Sequence, residues 1–265
     1  MPEQGDVPLT VVMPAYNEEQ VIERAVQEVQ QDVLDRIGAA ELVVVDDGSR
    51  DETGAILDRL AAQDTRLQVI HQPNRGHGPA LRAGLDAARG TYVLLLDSDR
   101  QIPLDSFEGC WSLAREHDGV FGARAFRQDP FIRLMVSAAV RRVVRLLFGV
   151  RLRDANVPFK MFRRSLWLEA RPIVPEETLT PSLFLGIYMW WRGLDVVERE
   201  VGHRRRQTGA VSLRRWTLFT FCLRAFRQLL LFRKRLATVE RGTGGGSLRH
   251  IPRKGELAKD QHPEG

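Results

Sequence analysis

Val93-Leu94-Leu95-Leu96-Asp97-Ser98-Asp99-Arg100-Gln101 decides how this chain folds. Four apolar residues in a row read as a strand buried on both faces, the mark of a parallel sheet. Two carboxylates one residue apart follow at its C-terminal end, where open α/β sheets bind their ligands. Such a pair can hold a divalent cation against a diphosphate. Position and chemistry together indicate a site for an activated phosphate compound.

Upstream of that strand the pattern alternates at a regular period. Leu9 to Pro14 reads as a strand, Glu18 to Leu34 as a helix, Glu41 to Val45 as a strand and Asp51 to Ala62 as a helix. Leu67 to His71 is a third strand, Pro79 suits the first turn of a helix running to about Arg89, and Thr91 to Leu96 is the fourth strand. This alternation predicts an α/β fold with a mostly parallel central sheet and right-handed crossovers.

Composition bounds the rest. A chain of 265 residues with 43% hydrophobic content can bury a sizeable core. Cys110 and Cys222 lie far apart without metal-ligand spacing, so neither a disulfide framework nor a zinc site is indicated and a reducing, cytoplasmic setting fits. No signal peptide is visible in Met1 to Pro8, and no run approaches the roughly 20 apolar residues of a spanning helix, so the chain is expected not to cross a membrane. The formal net charge of +5 conceals an asymmetry, because the first half is balanced and the second is rich in arginine.

Each strand end carries polar residues that a core does not need. Pro14-Ala15-Tyr16-Asn17-Glu18 follows the first strand and Asp46-Asp47-Gly48-Ser49 the second. Capping and turn chemistry alone would explain Asn17, Ser49 and Asp51. Asp46, Asp47, Asp97 and Asp99 would nevertheless crowd one sheet edge, and four carboxylates repel unless a cation or a ligand's donors compensate them.

Val12-Met13-Pro14-Ala15-Tyr16-Asn17-Glu18, Val45-Asp46-Asp47-Gly48-Ser49, Asn74 to Gly84 and Asp97-Ser98-Asp99-Arg100-Gln101 resemble the successive motifs of family 2 glycosyltransferases. Within that family the chain is most similar to the dolichyl-phosphate and polyprenyl-phosphate sugar transferases, clearly over residues 9 to 125 and more weakly to about 215. The resemblance implies a Rossmann-like GT-A fold, a nucleoside-diphosphate sugar donor and inversion at the anomeric carbon. It places Pro14, Tyr16 and Glu18 in the nucleoside pocket, Asp46 on the base with Asp47 beside it, and Mg or Mn on Asp97, Asp99 and Gln101, where a cation stabilises the leaving diphosphate. Gly76, Gly78 and Gly84 would allow close backbone approach or tight packing. Arg100 stands where the polyprenyl-phosphate branch commonly has an apolar residue. His77 stands where many relatives have Lys or Tyr; it reads either as a phosphate donor or as a half-exposed loop histidine.

The second half is dense in cations. Arg124 to Arg164 holds eleven Lys or Arg against Asp129 and Asp154, and His203 to Arg235 holds ten against no acid. A solvated basic face is the ordinary explanation, but these arginines alternate with Phe, Leu, Met, Val and Trp. Phe131 to Val150 and Trp216 to Leu236 therefore fit interfacial amphipathic helices on an anionic membrane surface, with too many charges to span it. Leu179 to Trp191, at thirteen residues, is expected as a buried helix.

By resemblance, Phe126 to Arg164 is the acceptor region, with Asp154 and Pro158 to Arg164 matching the branch pattern, and Arg124, Arg133 and Ser137 stand where that branch places donor or acceptor phosphate contacts. His203, Arg206, Gly209 and Ser212 resemble its terminal motif, in which the arginine contacts phosphate over the closed site. Guanidinium forks suit phosphate oxygens. A hydroxyl acceptor would need a general base, for which Asp154, Glu176 and Glu177 are available, whereas a lipid phosphate is already an anion and chiefly needs positioning.

The expected organisation is a nucleotide-sugar-binding half over 1–125, an acceptor region with interfacial helices over 126–240, and a flexible tail over 241–265 that opens on Gly242-Thr243-Gly244-Gly245-Gly246-Ser247. The expected activity is metal-dependent transfer of a sugar from a GDP-mannose or UDP-glucose type donor to a polyprenyl phosphate, by an enzyme bound peripherally to the inner membrane face. A saccharide or soluble hydroxyl acceptor is the alternative enzyme reading. Nucleic-acid binding through the arginines is the alternative of another class, and the ordered carboxylate motifs argue against it. The intact Asp97, Asp99 and Gln101 set argues against a degenerate member that only binds nucleotide.

Overall fold

Four of the chain's apolar runs become parallel strands: β1 (Leu9–Ala15), β2 (Glu41–Asp46), β3 (Leu67–His71) and β4 (Tyr92–Leu95). In this computed structural model, which describes residues 7–124, 131–150, 153–154, 157–204 and 215–242, they belong to one seven-stranded sheet. The sheet also contains β5 (Gly119–Arg124), β6 (Lys160–Arg163) and β7 (Val196–Val201), in the order β3-β2-β1-β4-β6-β5-β7. Only β6 runs against its neighbours, pairing antiparallel with both β4 and β5, while β5 and β7 are parallel. The sheet thus takes strands from both sides of residue 125.

Helices cover both faces, which is why β1, β2 and β4 are buried throughout and largely apolar. On one face lie α1 (Ile22–Val29), α2 (Asp35–Ile37), α3 (Thr53–Ala61) and α5 (Phe107–Glu116), packed on Leu9, Val11, Met13, Leu42, Val44 and Leu94. A π-helical turn, Gln30–Leu34, joins α1 to α2. On the other face lie α4 (His77–Ala87), α6 (Phe131–Phe148), α7 (Arg164–Ala170), α8 (Pro181–Trp191) and α9 (Arg215–Gly242). Val12, Val93, Leu95, Phe121 and Phe162 meet them there.

The thirteen-residue apolar stretch forms the buried α8, which starts on Pro181 at a position where the missing amide costs nothing. Its Phe184 meets Phe232 of α9 edge-on at 5.0 Å between ring centroids, and Phe232 also meets Phe148 of α6 at 5.9 Å. Leu229, Phe232 and Leu236, spaced along one face of α9, are all buried. Each such burial contributes about 1.5–3 kcal/mol, enough for three side chains to dock the helix. The two basic helices are therefore built into the fold along one face each. Among the described residues no helix is long and apolar enough to cross a membrane.

Candidate active site

β1 to β4 all end at the same sheet edge, and the loops that leave them are knitted together by short polar side chains. Asp47 N–H donates to the Ala15 carbonyl (2.9 Å), Asn17 N–H to Ser49 Oγ (3.0 Å), Arg50 N–H to Asn17 Oδ1 (2.8 Å) and Glu18 N–H to Thr53 Oγ1 (2.8 Å). Asp51 accepts from the amides of Thr53 (3.1 Å) and Glu19 (3.2 Å). Asp51 thus makes the local turn bond to Thr53 that its residue type allows, while Asn17 and Ser49 tie the first loop to the second. They fix the mouth of a cleft of about 420 Å³ lined by Pro14, Tyr16, Glu18, Asp47, Asp97 and Asp99, together with Ala15, Asn74, Gly76, His77, Ala80 and Ser98.

Adjacent Asp46 and Asp47 are both buried but go separate ways. Asp47 accepts from Gln72 Nε2 (2.7 Å), Arg75 N–H (2.9 Å) and Gly76 N–H (2.7 Å), shaping the cleft wall at 72–76. Asp46 is not among the lining residues. Its Oδ1 accepts from Ser49 N–H and its Oδ2 faces His71 Nδ1, each at 3.0 Å. His71 Nε2 is in turn 3.0 Å from Asp58, and the bonds to Asp58 and Asp46 raise the imidazole above its usual pKa. Tyr16, 41% exposed, overhangs the cleft as a flat apolar surface beside polar walls.

Glu18, Asp47, Asp97 and Asp99 all line the cleft, yet among the described residues no three His, Cys, Asp or Glu side chains converge as a metal cage. That arrangement fits Mg or Mn, hard cations that are held by one or two carboxylates and complete their shell with substrate phosphate and water. Asp97 and Asp99 would be the protein ligands. Asp99 Oδ1 accepts from Gln101 N–H at 3.0 Å, which folds the loop back on itself, while Arg100 takes a left-handed φ of 56°. Gln101 is not among the lining residues; its carbonyl accepts from Arg204 N–H at 2.7 Å.

β5 reaches the same edge, and Arg124 at its end makes a two-pronged ion pair with buried Asp154: Nε to Oδ2 at 2.7 Å and Nη2 to Oδ1 at 3.0 Å. Both Asp154 oxygens are thereby committed to a guanidinium. Antiparallel pairing of β6 with β4 sets Lys160 opposite Leu95, two residues before Asp97. Its side chain is 2% exposed, 3.5 Å from Ser182 Oγ and 5.6 Å from the Phe121 ring centroid. Burial pushes its pKa down to about 8, against the pull of Asp154 and Asp97. Asn74 and Ser98 line the cleft and Lys160 lies beneath it; all three stand inside the quoted motifs without a role assigned to them there.

Ser137 is half-buried on α6 and His203 half-buried after β7. The Arg133 side chain, and Arg206, Gly209 and Ser212, lie outside the described residues. Glu177 pairs with Arg75 beside the cleft and is half exposed, and Glu176 is exposed. Gly78 packs on the Thr178 carbonyl, which a Cβ would overlap, and Gly84 packs on Val12.

The profile of the family described as Glycosyl transferase family 2 matches residues 10–166. Glycosyltransferase AglD of Haloferax volcanii is 35% identical over 181 residues, covering 64% of this chain and 29% of its own length. The undecaprenyl-phosphate 4-deoxy-4-formamido-L-arabinose transferase of Pseudomonas aeruginosa is 30% identical over 208 residues, covering 77% of this chain and 61% of its own. The chain therefore spans less than two-thirds of the length of these relatives. Among solved structures, glucosyl-3-phosphoglycerate synthase of Mycobacterium tuberculosis in complex with Mn2+, uridine-diphosphate and phosphoglyceric acid superposes with a TM-score of 0.63 at 22% identity, over 86% of this chain and 78% of that one. S. aureus TarS 1–349 gives 0.55 at 19%, over 90% and 74%. With its strand order, its carboxylate-lined cleft and a matching profile over more than half its length, this GT-A chain belongs to glycosyltransferase family 2.

Proposed function

We propose that the chain transfers a sugar, with inversion, from a GDP-mannose or UDP-glucose type donor to a polyprenyl phosphate at the cytoplasmic face of a membrane. One observation carries this reading: Arg124, Asp154 and Lys160 gather at the sheet edge that bears Asp97 and Asp99. A carboxylate pair suits the donor's diphosphate with Mg or Mn, and an adjoining cationic group suits an acceptor that is itself an anion. The relative named as an undecaprenyl-phosphate transferase agrees with that acceptor class.

Tyr16 would stack beside the nucleoside, Pro14 and Glu18 would flank it, and Asp47 would hold the wall at 72–76 against it, with Asp46 bracing that wall from behind. Bound on Asp97 and Asp99, the cation would offset the charge that develops on the departing diphosphate. Lys160 would add fixed positive potential from a dry site, where it acts more strongly than in water. Arg124, held flat by Asp154, would present its guanidinium to acceptor phosphate, joined by Ser137, His203, Arg133, Arg206 and Ser212. A phosphate nucleophile already carries an anionic oxygen at neutral pH, so Asp154 is needed as an anchor and not as a base. Catalysis is then positioning plus electrostatics. The basic helices would rest on anionic lipid, and no nucleic-acid partner is implied.

The test is transfer of labelled sugar from UDP and GDP donors, with Mn and polyprenyl phosphate, into organic-extractable product. Label in the organic phase that disappears on chelation and in Asp99→Ala is the expected result. Label that stays in water would move the acceptor to a soluble hydroxyl, and full activity of Asp99→Ala would refute the metal assignment.

A further inference from the structure

Arg100 departs from the branch pattern and adopts a left-handed backbone next to a proposed metal ligand. Its partner explains the departure. Arg100 Nε donates to Glu28 Oε2 of α1 at 2.7 Å. The other oxygen of the same carboxylate, Oε1, accepts from Arg204 Nη1 at 3.0 Å. Glu28 is only 16% exposed at the side chain, so both pairs are better shielded than an ordinary surface bridge. Two further contacts run in parallel with this tie. Arg204 N–H donates to the Gln101 carbonyl at 2.7 Å, and Gly202 lies against the Pro103 ring, where a Cβ would come within 2.7 Å of Cγ. The stretch 202–204 is therefore laid along 101–103, and it leads directly into 205–214, which carries Arg206 and Ser212.

We propose that Glu28 is a positioning residue: one carboxylate on a rigid helix that fastens the Asp97–Gln101 loop to the segment leading to Arg206. The proposal rests on the reading of the cleft as a metal-dependent donor site. Without the Glu28 charge, two guanidiniums held side by side repel, Arg100 loses its side-chain partner, and the 97–101 loop and the 202–204 stretch become free to separate. A misplacement of about 1 Å in a loop that carries metal ligands is costly to rate.

The experiment compares Glu28→Gln, which keeps shape and loses charge, with Glu23→Gln on the same helix, which breaks the exposed pair to Arg59 of α3. Mn-dependent binding of UDP and GDP, kcat, KM and thermal midpoint are measured on each. Glu28→Gln is expected to weaken nucleotide binding and lower kcat, each by about tenfold, while staying folded at the assay temperature, its midpoint falling further than that of Glu23→Gln because the charge it removes is better shielded. Arg204→Gln cuts one arm only; it is expected to lower kcat while nucleotide binding stays within about twofold of the parent. Parent-like kcat and binding in Glu28→Gln, or losses matched by unfolding and absent from Arg204→Gln, would overturn the role of Glu28. If the unmodified chain binds neither nucleotide in the presence of Mn, the donor-site reading fails first and this proposal fails with it.

Discussion

Lys160 is buried for a reason that costs stability. Burial depresses its pKa from the ordinary 10.5 to about 8, so at neutral pH the fold carries a desolvated ammonium only partly compensated by Asp154 and Asp97. Below pH 8 folded and unfolded chains are both protonated and the whole penalty is present. Between about 8 and 10.5 the unfolded chain binds the extra proton, so stability rises with pH across that window. Lys160→Met, which keeps the volume, is therefore expected to raise the urea midpoint most below pH 8, with the gain shrinking towards pH 10.5, and to lose sugar transfer throughout; a gain independent of pH would show that Lys160 is not the titrating group. Nothing local in Pro158-Phe159-Lys160 announces this role, because the residue reaches the site through the long-range register that sets it opposite Leu95. Asp97 and Asp99 were legible for the opposite reason, directly following an apolar strand. Asp46 and Asp47 read as a pair, but successive residues of an extended chain point to opposite sides, and only Asp47 lines the cleft.

The elements follow the same division between local and long-range causes. β1, β2, β4 and α8 match their apolar runs closely because both faces of each of these strands, and most of α8, are buried, while β3, at the sheet edge, buries fully only Leu67. The first helix was expected from Glu18 but starts at Ile22: Glu18 and Glu19 donate their amides to Thr53 and Asp51 of another loop. The π turn Gln30–Leu34 has no signature in a pattern of period 3.6. β5, β6 and β7 escaped pattern reading because Lys160-Met161-Phe162-Arg163 is too short and Val196 to Val201 too charged to declare a strand without its neighbours. α4 begins where its glycine meets the 175–180 loop, and Gly78 leaves no room for a side chain beside the Thr178 carbonyl. Gly78→Ala is expected to cost about 1–3 kcal/mol by overpacking and to weaken nucleotide binding, because the loop can yield only by shifting the helix start that bears His77. Parallel denaturation and nucleotide titration would check both, and an unchanged affinity would separate this contact from the cleft.

At the scale of the whole molecule, one side of α9 is spent on the core and the other is left to solvent. Leu223, Phe226, Leu230 and Leu231 are exposed beside Arg227, Arg233 and Lys234, and Arg227, Leu230, Leu231, Arg233, Lys234 and Ala237 line a shallow groove. Apolar side chains interleaved with cations and no acid are what an anionic lipid surface would take. The same helix touches the site: Gln228 Nε2 donates to the Glu177 carbonyl at 2.7 Å and its Oε1 accepts from Leu179 N–H at 3.2 Å, while Glu177 pairs with Arg75 next to Asn74 and Gly76. A helix resting on lipid would thus also brace the wall of the donor cleft. Arg227→Glu with Arg233→Glu reverses two groove charges without touching the Gln228 contacts. The double variant is expected to stay in the supernatant when spun with phosphatidylglycerol vesicles at low salt, where the parent sediments, and to bind nucleotide in solution as the parent does. Equal sedimentation of both proteins would remove the lipid surface as the partner of this groove, and lost nucleotide binding would show that the charges serve the fold instead.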